Sequence, residues 1–205
     1  AGGDLGWMKR AASWSKARNK QDALKLFRML RAVRDCPKPV VARVQGAALG
    51  GGAGLAAACD RVVAEEGAMF GFTEVRLGII PGAISPFVVE RIGPGHARDL
   101  FTSGRRFDAA KAKEIGLAHD VAPAGQLDAV LAEALKDYLA AAPIATMDAK
   151  RLAFFVANEL ARRPFDGLGP QVAARIAAKR ADPEAKAGFE AFFAKKPPPW
   201  NPGAP

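Results

Sequence analysis

One stretch almost without side chains constrains this chain more than any other. Residues 47–60 read AALGGGAGLAAACD, and Gly50, Gly51 and Gly52 end one apolar segment and open another. No acid, base, nucleophile or metal ligand stands among the glycines. A helix opening after a strand leaves its first backbone N–H groups unpaired, and the helix dipole adds partial positive charge there. Glycine lets a second molecule approach that backbone closely. Such a place stabilises negative charge with amides alone, as a phosphate cradle or as an oxyanion hole. Gly52-Ala53-Gly54-Leu55-Ala56-Ala57 fits G-x-G-x-x-A formally, but the acid needed at the end of a second strand has only Glu74 near its spacing, in a turn-like context. A Walker loop is excluded, because no Gly-Lys-Ser/Thr follows.

The flanking segments define an α/β pattern. QDALKLFRMLRAVR, residues 21–34, places Leu24, Phe27, Leu30 and Val33 near the 3.6 period and predicts an amphipathic helix, stopped by Cys36-Pro37-Lys38-Pro39. Residues 40–44 are short and β-branched and predict a buried strand. A loop over 46–52 and a small-residue helix over 53–59 are expected next. Strands are expected at 61–64 and 68–72, a turn-rich loop at TEVRLGIIPG, and helices at 85–92 and 95–102. Asp108 is the expected N-cap and Gly116 the expected C′ residue of a further helix, with a strand over 117–121 behind it. From Gln126 onward the pattern is helical: the segment through Pro143, then 144–162, 169–180 and 183–195. The expectation is an α/β region over 1–125 and a helical region over 126–205, the latter suited to covering a site or joining subunits.

Composition narrows the partners. The chain has 205 residues, half of them hydrophobic, with a net charge of +9. A basic surface favours anionic partners such as nucleotides, phosphorylated carriers or RNA, yet Lys9, Arg10, Lys16, Arg18, Lys20, Lys25, Arg105, Arg106, Lys195 and Lys196 are dispersed. RNP-like interleaving and Cys/His finger spacings are absent. Two cysteines, Cys36 and Cys59, give no disulfide framework and predict a reducing, cytoplasmic setting. Arg43 and Gln45 interrupt the best apolar run, so no membrane span is expected. The chain opens on AGGDLGWMKR without a Met, which predicts residues upstream.

Two further segments strengthen the oxyanion reading. AGGDL, residues 1–5, is a second glycine-rich turn before a predicted helix. FGFTEVRLGIIPG, residues 70–82, sets one carboxylate, Glu74, among apolar neighbours, where burial would raise its pKa and suit it to proton transfer. His96 and His119 read as structural. His119 beside Asp120 lacks a nucleophile, so a hydrolytic triad is not expected. Trp7 and Trp14 read as packing residues.

Taken in order, AGGDL, CPKPVVARVQGAALGGGAGLAAACD, FGFTEVRLGIIPG and TSGRRFDAAKAKEIGLAHDV resemble the crotonase (enoyl-CoA hydratase/isomerase) superfamily over essentially the whole chain. The resemblance implies the ClpP/crotonase-like fold: stacked ββα units followed by a C-terminal helical region, here without the family's opening strands. It implies that the amides of Gly3 and Gly51 hold the thioester carbonyl oxygen as it becomes an enolate, and that Glu74 transfers the proton. Ala1, Gly3, Asp4, Leu5 and Gly6 would line the acyl-CoA tunnel. Phe192 and Lys195, in AFFAKK, match a C-terminal segment that touches a neighbouring subunit's adenine. Family hydratases carry a second glutamate at the position of Gly54, so this chain departs from them and approaches the single-glutamate Δ3,Δ2-enoyl-CoA isomerases.

GGDLGWMKR, GGAGLAAACD, EVRLGIIPGAISPFVVERIG and the PPPW ending resemble the bacterial methylglutaconyl-CoA hydratases, whose members also tend to lack that acid. The function implied is hydration of 3-methylglutaconyl-CoA to 3-hydroxy-3-methylglutaryl-CoA in leucine degradation, with Lys9, Arg10 or Arg76 near the substrate's free carboxylate. An isomerase, and an RNA-binding protein on the same fold, remain the alternatives. No metal or cofactor is implied beyond the CoA of the substrate, and the family's assembly predicts a homotrimer or a hexamer built as a dimer of trimers.

Overall fold

A computed structural model describes residues 2–162 and 168–202 of the chain. It divides into two compact units, one built from residues up to 36 and 40–132, the other from 37–39 and residues from 133 on.

The first unit opens with α1 (Leu5–Ala11) and α2 (Lys16–Arg34), followed by β1 (Val41–Val44), β2 (Ala47–Leu49), α3 (Gly51–Ala58), β3 (Arg61–Glu65) and β4 (Met69–Gly71). A short 3-10 turn, Glu74–Leu77, leads to α4 (Ser85–Ser103), β5 (Arg106–Asp108), α5 (Ala109–Glu114), β6 (Asp120–Ala122) and the first part of α6 (Leu127–Ala140), whose residues from 133 on belong to the second unit. Strands alternate between two sheets, except that β4 and β5 share one. β1, β3 and β6 form one parallel sheet, while β2 pairs β4 in parallel and β4 pairs β5 antiparallel in the other. β1–β2–α3 and β3–β4–α4 are each one ββα step that adds one strand to each sheet; β5 and β6 also go to different sheets, with α5 between them.

Small residues let the layers approach. Ala53, Gly54, Ala56, Ala57 and Ala58 of α3 are all buried, packed with Leu30 of α2 and with Phe87, Val88 and Ile92 of α4. Phe72 anchors an aromatic cluster, edge-on to Phe101 at 5.3 Å and tilted against Phe107 at 6.0 Å. Burying each such ring contributes about 1.5–3 kcal/mol, which holds the segment just before Glu74 in place.

The sequence expectations need several corrections. The expected loop over 46–52 contains β2, because residues 47–49 pair with Met69–Gly71, a tertiary contact that no local periodicity marks. α3 starts at Gly51, two residues earlier than expected. The TEVRLGIIPG loop carries a 3-10 turn, and β5 was not expected. The strand expected over 117–121 is reduced to 120–122, because the Leu117 and Ala118 amides turn back to the Ala112 carbonyl at 2.8 and 2.9 Å. Asp108 does cap α5, accepting from the Lys111 amide at 2.8 Å, and Gly116 does adopt positive φ behind it. The two helices expected over 85–102 are the two halves of α4, separated by a kink of non-helical backbone at Gly93, ahead of Pro94.

The second unit contains α7 (Pro143–Arg162), α8 (Leu168–Ala181) and α9 (Pro183–Phe193). Glu184 accepts from the Ile144 and Ala145 amides at 2.9 and 2.7 Å, capping the start of α7 from α9. Lys179 of α8 reaches Asp148 at 3.3 Å and Glu184 at 3.4 Å. Arg175 stacks over Phe155 at 3.6 Å, and Trp200 donates to the Ala140 carbonyl at 3.2 Å.

Candidate active site

The N-terminal end of α3 is where the site assembles. β2 ends at Leu49, the chain reverses at Gly50 with φ 51° and ψ −116°, and α3 begins at Gly51. Only glycine adopts that backbone readily. No side chain caps the helix, so its first amides are left for another partner. The Gly50 amide itself is used, donating to the Gly71 carbonyl at 2.8 Å. This bond ties the turn to the end of β4, three residues before Glu74.

Glu74 closes against that turn. A methyl group on Gly50 would stand 3.0 Å from Glu74 Oε1, so the carboxyl lies directly on the glycine's Cα. Glu74 is half-buried, and among the described residues its buried Oε2 has no hydrogen-bond partner. Burial raises its pKa above the ordinary carboxylate range, while a hydrogen bond from its own backbone works in the opposite direction. A raised pKa is what suits a carboxyl to proton exchange.

The first turn of the chain meets the same place. A methyl on Gly2 would stand 2.6 Å from the Leu49 carbonyl oxygen, so the turn holding Gly3 runs backbone-to-backbone beside the turn holding Gly51. Asp4 caps α1, accepting from the Gly6 and Trp7 amides at 2.8 and 3.2 Å. Its side chain therefore orders the Gly3–Gly6 turn. Leu5 opens α1, and Ala1 lies outside the described residues. Among the described residues no three His, Cys, Asp or Glu side chains gather as metal ligands, and no helix is long and apolar enough to cross a membrane.

Residues 1–202 match the family model for Enoyl-CoA hydratase/isomerase. The chain belongs to this enzyme family. Its fold is the crotonase fold: a solved enoyl-CoA hydratase/isomerase (crotonase) from Legionella pneumophila, provisionally so named, superposes with a TM-score of 0.90 at 41% identity, covering 98% of this chain and 76% of that one. A Thermus thermophilus protein provisionally named enoyl-CoA hydratase is 36% identical over 97% of this chain and 77% of its own length. The Mycosarcoma maydis enoyl-CoA isomerase/hydratase fer4 is 39% identical over 79% of this chain and 59% of its own length.

Within this enoyl-CoA hydratase/isomerase chain, the other residues singled out from sequence sit apart from the Gly50 turn in role. Lys9 and Arg10 are exposed in the last turn of α1. Arg76 is committed to the Gly104 carbonyl at 2.7 Å. Trp7 and Trp14 pack edge to face on each other at 6.2 Å, with Arg18 over Trp14. His119 is structural, its Nδ1 accepting from the Val62 amide at 3.0 Å. In the second unit, Phe192 is 74% exposed and edge-on to Phe193. Lys195 follows with φ 53°, the one positive value at a non-glycine among the described residues.

Two residues of consequence escaped the sequence reading. Gly50 stands among like neighbours in the sequence, although it carries the reversal and the contact with Glu74. Ile84 was passed over inside PGAISPFVVE. Its only signal was an apolar residue directly before the Ser-Pro start of a helix.

Proposed function

We propose that this protein is an acyl-CoA hydratase acting on 3-methylglutaconyl-CoA or a related enoyl-CoA. The observation that carries the reading is the half-buried Glu74 carboxyl lying on Gly50, its Oε2 without a partner among the described residues, at the uncapped start of α3. The Gly51 amide and the Gly3 amide of the adjoining turn donate to the thioester oxygen. Glu74, ionised, takes a proton from water as the water oxygen bonds to Cβ of the enoyl group. The π electrons move toward the thioester and form an enolate, whose negative oxygen the two amides hold. The enolate then collapses, and Cα takes the proton from the Glu74 carboxyl. Hydrogen and hydroxyl have been added across the double bond, and the enzyme is unchanged. No metal or redox cofactor enters these steps, because the CoA arrives with the substrate.

A second reading has its own support. Glu74 has no acidic companion at Gly54, and a single carboxyl suffices to take a proton from Cα of a 3-enoyl-CoA and return it at C4, moving the double bond. The name of the fer4 relative joins isomerase with hydratase. Assembly belongs to the same proposal. Phe189, Phe192 and Phe193 of the helical unit are 52%, 74% and 78% exposed, an apolar surface suited to a homotrimer or hexamer in which Phe192 and Lys195 meet a neighbour's adenine. The two free cysteines suit a reducing compartment such as the cytoplasm.

The test offers the purified protein crotonyl-CoA, 3-methylglutaconyl-CoA and a 3-enoyl-CoA, following thioester absorbance and product mass. Uptake of one water without change elsewhere identifies a hydratase. A shifted double bond at constant mass identifies an isomerase. No turnover of any of the three rejects the catalytic reading.

A further inference from the structure

Gly54 lies four residues after Gly50 on α3, its amide donating to the Gly50 carbonyl at 2.9 Å. That bond sets the two one turn apart, so Gly50 and Gly54 form one strip without side chains. Two different groups cover it. Over Gly50 lies the Glu74 carboxyl. Over Gly54 lies Ile84, the residue before α4, which is 2% exposed.

The fit over Gly54 is closer than any side chain permits. A methyl on Gly54 would stand 2.3 Å from Ile84 Cγ2 and 2.6 Å from Ile84 Cβ. The second distance decides the matter. Cγ2 can swing away by rotation about χ1, but Cβ is fixed by the backbone. No rotamer of Ile84 makes room, and a side chain at 54 requires α3 and the start of α4 to separate. That start is held from within, since the Phe87 and Val88 amides both donate to the Ile84 carbonyl at 3.1 Å, and Phe87 and Val88 are themselves buried.

We propose that Ile84 is a specificity-determining residue: by closing the space over Gly54 it restricts the site to one carboxyl, and so sets the partition between adding water and moving a double bond. The inference rests on the catalytic reading above. With Glu74 as the acid–base group, no second carboxyl stands on the strip beside it to hold a water molecule against the acyl chain. Double-bond transfer needs only the one carboxyl. Water addition asks the same carboxyl both to deprotonate the water and to deliver the proton. A second carboxyl on the strip would grip the water, and Ile84 excludes it.

The experiment is a double-mutant cycle read in stability and in products. Gly54→Ala is expected to lower Tm sharply. Ile84→Ala, which retains Cβ, is expected to rescue little, and Ile84→Gly to rescue most of the loss. A Gly54→Ala protein with wild-type Tm, or equal Tm losses with and without Ile84→Gly, overturns the packing argument. Gly54→Glu/Ile84→Gly is then assayed with a 2-enoyl-CoA and a 3-enoyl-CoA. The ratio of hydrated to isomerised product is expected to rise at least about tenfold over wild type, a conservative share of what a positioned acid–base group contributes. Its pH–rate profile is expected to gain a second ionisation that wild type lacks and a purely structural substitution would not add. An unchanged ratio and profile in a double variant that folds overturns the specificity role. Absence of any turnover by the wild-type protein refutes the catalytic reading and the partition with it, whereas the Tm cycle still reports on Ile84 and Gly54 alone.

Discussion

The two ends of α3 are finished in opposite ways. At its C-terminal end, Arg91 of α4 donates to the carbonyls of Ala57, Cys59 and Asp60, and the Cys59 thiol donates to the Leu55 carbonyl at 3.3 Å. A guanidinium satisfies the orphan carbonyls and complements the negative end of the dipole. At its N-terminal end there is no side-chain cap, and an acid lies beside the turn with one buried oxygen unpartnered. One end is completed for stability. The other is left incomplete, which costs stability; in the proposed function its amides and the carboxyl serve the chemistry. Both ends belong to one short helix, so substitutions at each can be compared directly.

The largest effect is expected at the incomplete end. Glu74→Gln keeps the shape and removes the base, so turnover should fall about 10²–10⁴-fold, the usual contribution of a positioned acid–base group. Stability should move the other way. Because the folded-state pKa of Glu74 is raised by burial, ionising it costs the folded state more than the unfolded one. That cost is absent below the ordinary glutamate value of about 4.3, grows as pH rises through the raised folded value, and is complete above it. Thermal unfolding should show Glu74→Gln more stable than wild type at pH 8 and no different at pH 3. A loss of stability at pH 8 would mean that the carboxyl has a partner, and the contrast between the helix ends would fail.

Next in size is the turn beneath the acid. Gly50→Ala forces a methyl into the backbone conformation at φ 51° and onto the Glu74 carboxyl. We expect a loss of about 3 kcal/mol, the upper end for such local strain, together with reduced turnover in the fraction that folds. Urea unfolding gives the first and initial rates the second. An alanine tolerated at no cost would show that the reversal is not needed to seat Glu74.

Arg91→Met sharpens the comparison from the other side. It keeps much of the apolar stem and removes the donors from the three carbonyls, at an expected cost of about 2 kcal/mol, typical of hydrogen bonds to a charged group. KM and kcat of the folded protein should stay near wild type. If Arg91→Met silenced turnover as Glu74→Gln does while remaining folded, the two ends would not divide stability from chemistry.

How much of this was legible in advance follows from the kind of signal each part leaves. The small residues of α3, the helix-capping Asp108 and the helical second unit carry local patterns, and glycine runs mark backbone that something must approach. Glu74 stood out because an acid among apolar neighbours is unusual. β2 left no mark, since three residues pair only because β4 lies beside them. Arg91 carries no local mark, because its role depends on where the end of another helix falls. Ile84 is the instructive case. The family resemblance makes Gly54 a missing acid, but with Ile84 in place it is a position where even a methyl has no room.

The smallest expected effect concerns the histidine beside the completed end. The Val62 amide donates to His119 Nδ1 at 3.0 Å, and the His119 amide donates to the Val62 carbonyl at 2.9 Å, a reciprocal pair joining β3 to the start of β6. Nδ1 is thus an acceptor, and a proton placed on it breaks the bond. Partial burial lowers the His119 pKa, the guanidinium groups of Arg91 and Arg61 lower it further, and Asp120 and Asp60 oppose them. As pH falls through the ordinary histidine value of about 6.5, the unfolded chain takes up a proton that the folded chain refuses, so stability declines until the depressed folded value is passed. His119→Ala should cost about 1 kcal/mol at pH 8, one hydrogen bond's worth, and should flatten the decline between neutral and mildly acidic pH. Glu74 contributes the opposite slope, stability rising as pH falls through its raised folded value toward the ordinary carboxylate value. Urea titrations of wild type, His119→Ala and Glu74→Gln across pH 4–8 separate the two. A wild-type acid limb that survives His119→Ala unchanged would assign the decline elsewhere and leave α3 with only one end whose protonation matters.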